Sequence, residues 1–284
     1  MAEFLSYEQL VQKRKTCSLC SELVNPSQCE RGHHDSNHIG PWSRWQGNLD
    51  AEIMVVGQDW GDTDYFIKNH GVDAKDNPTN NMLRELLLSI GIDVGLPHER
   101  QDSSRVFLTN AILCLKTTGG MQGNVERKWF SNCGAEFLRP LIEIVEPKVV
   151  ICLGERAWRS VVTAFGQRPG RFRESVENPM GIRLMESVVA MAVYHCGARV
   201  LNMNRSRDQQ LRDWQRVRNM LNSAVASGRD LYCSLDFRRP HKCESPWGRH
   251  FLHLAQRVNL VIVTAIRFSP TQKPRLKSAS FRRP

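Results

Sequence analysis

The sequence predicts an α/β fold, a three-layer α/β/α sandwich around a central four-stranded parallel sheet. Three observations carry this reading. Four short apolar runs lie along the first 200 residues, each ending in a polar or glycine-containing turn. The first three do not alternate apolar with polar residues, as expected of strands covered on both faces. Helical patterns fill the intervals, and alternating strands and helices imply right-handed βαβ crossovers.

Taken in order, Leu5, Leu10 and Val11 predict a helix from Phe4 to Lys15, and Cys17 and Cys20 follow at once. Asn25 to Trp45 is rich in Pro, Gly, His and Asn and reads as a loop. Ile53 to Val56 is the first strand, running into Gly57-Gln58-Asp59. Thr79 or Asn80 caps a helix through Met82, Leu83, Leu86, Leu87 and Ile90 that Gly91 ends. Val106 to Thr109 runs into Asn110, and a helix is expected from about Glu126 to Val145, stopping before Pro147. Val149 to Leu153, with Cys152 in the core, runs into Gly154 and a helix from Glu155 to Phe165. Val188 to Tyr194 runs into His195-Cys196-Gly197, and a last helix spans Asp208 to about Val225.

Composition narrows the class. The chain has 284 residues, 41% hydrophobic and 24% charged, enough for one sizeable core. Its longest apolar run, Leu260 to Ile266, is far short of the roughly 20 residues that span a bilayer. The N-terminus lacks a signal-peptide pattern, so the expectation is a protein of a reducing cytoplasmic compartment with no membrane partner and no disulfide framework. Net charge is +10, but residues 1–224 carry 27 Lys and Arg against 26 Asp and Glu. Residues 225–284 carry 12 against 3, so bulk charge says little about what the body of the protein binds.

In a parallel sheet all strand C-termini lie on one edge, and ligands bind outside that edge. Gln58, Asp59, Asn110 and His195 are therefore expected to converge although they are far apart in sequence. Taken singly, each also reads as a helix cap or turn residue.

At these residues the sequence resembles the uracil-DNA glycosylase superfamily, nearest its iron–sulfur (family 4) branch, over about Phe4 to Ala226. Gly57-Gln58-Asp59-Trp60-Gly61-Asp62 resembles the water-activating loops Gly-Gln-Asp-Pro-Tyr of family 1 and Gly-Glu-Ala-Pro-Gly of family 4. Thr109-Asn110-Ala111-Ile112-Leu113-Cys114 resembles Thr-Asn-x-x-Lys-Cys, in which the Asn reads uracil and the Cys ligates the cluster. Pro147 to Gly154 resembles the Pro-Lys-x-x-x-x-Leu-Gly strand that leads to a DNA-facing helix start. His195-Cys196-Gly197 stands in the place of the His-Pro-Ser loop. The family's uracil-stacking Phe falls near Pro78-Thr79, so the stacker is absent or supplied by Trp60, Tyr65 or Phe66.

The resemblance implies a DNA glycosylase of base-excision repair that hydrolyses the N-glycosidic bond of a flipped uracil. Asp59 would orient or activate water and stabilise the sugar cation, with Gln58 holding the water or a phosphate-side contact. Asn110 would present a donor and an acceptor to the pyrimidine edge. His195 would donate to the leaving base as charge builds on it. Gly154, at a helix start, and Arg199 and Arg205 would meet DNA phosphates. Cys17, Cys20, Cys114 and Cys133 match the family 4 ligands of a structural [4Fe–4S] cluster. A local zinc site from Cys17, Cys20, Cys29 and His33 or His34 is the alternative. Other lesions (hypoxanthine or a mismatched base) and a non-catalytic nucleic-acid-binding iron–sulfur protein of the same fold remain open. Residues 227–284 read as a basic, partly disordered tail, and the complete strand pattern suggests a monomer.

Overall fold

The computed structural model describes residues 5–39, 48–96, 105–117, 125–203 and 205–233. A central sheet has the strand order β3-β2-β5-β7-β6: β2 is Ile53–Gly57, β3 Val106–Asn110, β5 Val149–Leu153, β6 Ile182–Arg183 and β7 Val189–Val193. The four long strands are parallel, as expected. The fifth, β6, is a two-residue antiparallel addition at the edge, too short to register as an apolar run. Two further short strands, β1 (Leu23–Val24) and β4 (Leu115–Lys116), pair antiparallel in a small sheet of their own.

Side chains alternate between two cores along each parallel strand. Met54, Val56, Phe107, Val150, Cys152, Ala190 and Ala192 face one layer, with α1 (Tyr7–Thr16), α4 (Arg127–Cys133), α5 (Arg139–Val145) and α6 (Glu155–Ala164). Ile53, Val55, Val106, Leu108, Ile151, Met191 and Val193 face the other, with α3 (Pro78–Ser89) and α9 (Arg207–Cys233). Every residue of these parallel strands is buried. That explains the unbroken apolar runs, because each side chain removed from water contributes about 1.5–3 kcal/mol.

Several boundaries differ from expectation for identifiable reasons. Asn77, not Thr79 or Asn80, caps α3: its side chain accepts from the Thr79 amide, and Pro78 takes the first helical position. The expected helix from Glu126 to Val145 is interrupted by a π turn over Gly134–Leu138. Pro140 follows after Arg139 and brings no N–H for the carbonyl four residues back, so the ladder widens before it. The last helix continues to Cys233. Short helices α2 (Thr63–Lys68), α7 (Phe172–Glu177) and α8 (Ala198–Met203) fall in stretches with no clear period. One compact unit covers Met1–Asp230 and a second Leu231–Pro284. Residues 234–284, most of the expected tail, lie outside the described residues.

Candidate active site

The sheet's C-terminal edge brings the four expected polar residues together. Gly57 pairs in register with Asn110, so Gln58 and Asp59 leave β2 beside the end of β3. Backbone bonds then hold the two loops against each other: the Ala111 amide donates to the Gly57 carbonyl at 2.9 Å, and Ile112 to Gln58 at 3.0 Å. Leu153 pairs with Val193, which sets Gly154 beside His195. Gly154 adopts φ +88°, and an added Cβ would stand 3.4 Å from the His195 Cβ. The positive φ is what calls for glycine at the turn that starts α6.

Asn110 is 1% exposed, and both its side-chain oxygen and nitrogen are buried without a hydrogen-bond partner among the described residues. Such an amide costs about 1–3 kcal/mol unless something pairs with it. Asp59 is held on both oxygens, with Lys116 Nζ 2.9 Å from Oδ1 and Gln58 Nε2 donating to Oδ2 at 2.6 Å.

The His195 Nδ1 accepts from the Gly197 amide at 3.0 Å. In the neutral ring this leaves the proton on Nε2, free to be donated. Burial pushes the imidazole below its ordinary range, and the nearby Asp59 carboxylate opposes that shift. A Cβ on Gly197 would lie 3.0 Å from the His195 ring, so the smallest residue serves where the family loop has Ser. Cys196 is fully buried, and its thiol contacts the Thr79 carbonyl at 3.5 Å. The Gln210 side chain donates to the His195 carbonyl at 3.2 Å, buttressing the loop from α9.

The remaining expected contacts divide. Trp60 is 2% and Phe66 0% exposed, packed on each other with ring centroids 5.5 Å apart. Both belong to a small apolar cluster beneath the loop, which corrects the expectation that either offers a face to a base. Tyr65 lies 4.9 Å from Trp60, and its hydroxyl accepts from the Ala74 amide. Arg199 is exposed on α8. Arg205 is committed internally: it forms two bonds to Asp213, at 2.9 and 2.7 Å, and stands 5.2 Å over the Tyr194 ring. It braces the loop instead of reaching outward, a correction to its expected phosphate contact. A cleft of about 370 Å³ between α4 and α6 is lined by Arg127, Arg156 and Arg159, with Phe130 as an apolar wall. Arg159 pairs with Glu155, whereas Arg127 and Arg156 have no carboxylate partner among the described residues.

Cys17, Cys20, Cys114 and Cys133 all line one cavity of about 130 Å³ between the end of α1, the start of β4 and α4. Burial pushes the Cys133 thiol up to about 12. Cys114 is pushed up by burial and then by Cys133, Cys17 and Cys20, in that order. The Asn132 amide donates to the Cys20 sulfur at 3.4 Å. Among the described residues no group of three or more His, Cys, Asp or Glu side chains is arranged to hold a metal ion. Cys29, of the alternative set, is packed with Trp60, Phe66 and Leu115, while His33 and His34 meet edge to face.

Lys116, Gln210 and Asp213 were not singled out by the sequence reading. A signal existed for each: a lysine ending the apolar segment Ala111–Leu115, and polar residues interleaved with the Trp214–Val217–Leu221 stripe. Among the described residues no helix is long and apolar enough to cross a membrane.

Comparison with known proteins agrees with this geometry. The sequence pattern of the Uracil DNA glycosylase superfamily matches residues 45–218, which include all four site-edge residues and leave Cys17 and Cys20 outside. A Type-5 uracil-DNA glycosylase of Pyrobaculum aerophilum is 27% identical over 200 residues, covering 64% of this chain and 80% of that protein. Four strand ends meeting at one polar edge, within a span that matches this pattern, place the chain among the hydrolases of N-glycosyl bonds in DNA: it belongs to the uracil DNA glycosylase superfamily.

Proposed function

We propose that the protein excises uracil from DNA by hydrolysing the N-glycosidic bond of a base flipped out of the strand. The observation that carries this reading is Asn110, a buried amide whose donor and acceptor both lack a partner among the described residues. Uracil offers an N3–H donor beside an O4 acceptor, which such an amide pairs in one plane. Cytosine offers the reverse pattern and would need the amide turned over.

As the bond breaks, positive charge grows on the sugar and negative charge on the base. Asp59 acts as an anion beside the sugar and Gln58 keeps its carboxylate oriented. His195 donates from Nε2 to the departing base, and its neutral form suits that task because it needs no prior protonation. Arg199, and Arg127 and Arg156 of the α4–α6 cleft, supply cations for backbone phosphates.

The second part of the proposal is a [4Fe–4S] cluster held by Cys17, Cys20, Cys114 and Cys133. Four thiols around one cavity suit a cluster, which takes one thiolate per iron and is wider than a single ion. The packing of Cys29 in an apolar cluster argues against its service in a local zinc site. When bound, the cluster supplies a cationic, covalent anchor between the N-terminal helix and the sheet; it takes no part in the hydrolysis.

The experiment is a panel of labelled oligonucleotides carrying uracil, hypoxanthine or a mismatched base, treated with alkali after incubation. Strand breaks at uracil are the expected result. Breaks confined to another base would replace uracil as substrate, and tight binding without breaks would return the chain to a binding role. Iron and sulfide assays on anaerobically purified protein test the cluster, and zinc without sulfide would overturn it.

A further inference from the structure

Lys116 lies in an unusual place for a lysine. Its side chain is 4% exposed and that of Asp59 is 5% exposed, with Nζ 2.9 Å from Oδ1. Among the described residues Nζ has no partner of hydrogen-bonding geometry, so the contact is an ion pair. Two backbone ties fix the lysine to the same loop. Its amide donates to the Gly61 carbonyl at 3.0 Å, and the residue forms a parallel bridge with Asp62. Through β4 it is also paired to Leu23, three residues beyond Cys20. Among the described residues His195, from the loop after β7, also faces Asp59.

Taking a carboxylate and an ammonium out of water costs several kcal/mol for each, and a buried pair is often replaceable by apolar residues without loss of stability. Stability alone therefore gives little reason to keep this pair. Its location does, because the partner is the carboxylate of the loop that faces the site. We propose that Lys116 is a positioning residue of the excision reaction: it keeps Asp59 a fixed anion beside the sugar and locks the loop that carries it. With one oxygen on Lys116 and the other on Gln58, the Asp59 carboxylate is fixed in place and acts through its charge on the developing sugar cation. The inference rests on the excision reading and deepens it.

The test compares wild type, Lys116→Met, Lys116→Arg, Asp59→Asn and the Asp59→Asn/Lys116→Met double variant. Readouts are single-turnover excision and affinity for a duplex holding an uncleavable abasic analogue. Lys116→Met is expected to slow excision about 100-fold, while affinity changes less than about 3-fold. Lys116→Arg keeps the charge and recovers most of the rate. The double variant is no slower than Asp59→Asn alone, because the lysine acts only through the carboxylate. It leaves no unpaired buried charge, so it and Lys116→Arg carry the test if Lys116→Met does not fold. A wild-type rate in Lys116→Met, or rate losses that multiply in the double variant, overturn the proposal. Absence of excision by the wild type overturns the excision reading itself, and this inference with it.

Discussion

The sheet edge and the cysteine-lined corner are both built from segments distant in sequence, yet they leave opposite groups in want of a partner. At the edge the unpaired atoms are a neutral amide, Asn110, beside an imidazole that burial keeps uncharged. At the corner burial, and then Cys133, Cys17 and Cys20, raise the affinity of the Cys114 thiol for its proton. The first arrangement suits a planar, uncharged ligand with its own donor and acceptor. The second suits a cationic ligand that replaces protons. The construction differs too: strand register positions the edge, while the corner depends on α1, β4 and α4 meeting at their ends. Damage to one region should therefore be felt differently from damage to the other.

The largest separation between them should come from His195→Ala. Loss of a preorganised donor is expected to lower single-turnover excision about 100- to 1000-fold. Binding to an abasic-analogue duplex and thermal stability should stay near wild type. Equal losses of binding and rate would mean that the loop merely grips DNA.

Asn110→Ala comes next. It is expected to slow uracil excision about 10- to 100-fold, the value of one or two buried hydrogen bonds, and to erase the preference for uracil over cytosine. Competition between the two bases in one oligonucleotide measures it. An unchanged preference would move base reading elsewhere.

Cys114→Ser tests the corner. Iron and sulfide should fall well below four per chain, and the melting temperature should drop. If the proposed cluster serves only as an anchor, the excision rate per folded molecule should change less than about 10-fold. Loss of rate without loss of stability would tie the corner to the reaction directly.

The smallest expected effect concerns Asp73, a buried carboxylic acid between the two helices that flank the site. Burial raises its pKa from 3.8 to about 6, opposed by Asn80, Asn77 and Tyr65. A raised carboxyl favours folding below its unfolded value and loses that contribution as pH rises to about 6. Asp73→Asn should therefore flatten the fall in stability between about pH 4 and pH 6, by on the order of 1–3 kcal/mol in urea unfolding. A wild-type pH dependence in the variant would place the carboxyl's cost elsewhere.

Much of the site was legible before the fold. Apolar runs of four or five residues ending in Gly57-Gln58-Asp59, Asn110, Gly154 and His195 identify strand ends, and parallel topology then assigns them to one edge. Trp60 and Phe66 were misread for a physical reason. Aromatic residues beside a polar motif look available to a base, but these two fill the cluster that supports the loop. Arg205 was misread because sequence shows a cation and not its partner, Asp213, eight residues away.

The amino-acid order by itself determined the strands, their parallel arrangement and the residues at their ends, because burial on both faces demands unbroken apolar runs. Only the tertiary structure decided which polar groups are already spent and which are not. Lys116 on β4 finds Asp59 in the loop after β2, Arg205 folds onto Tyr194, and Asn110 keeps both its amide atoms unengaged among the described residues. Those outcomes depend on distances of a few ångströms between separate segments, and no local pattern encodes them.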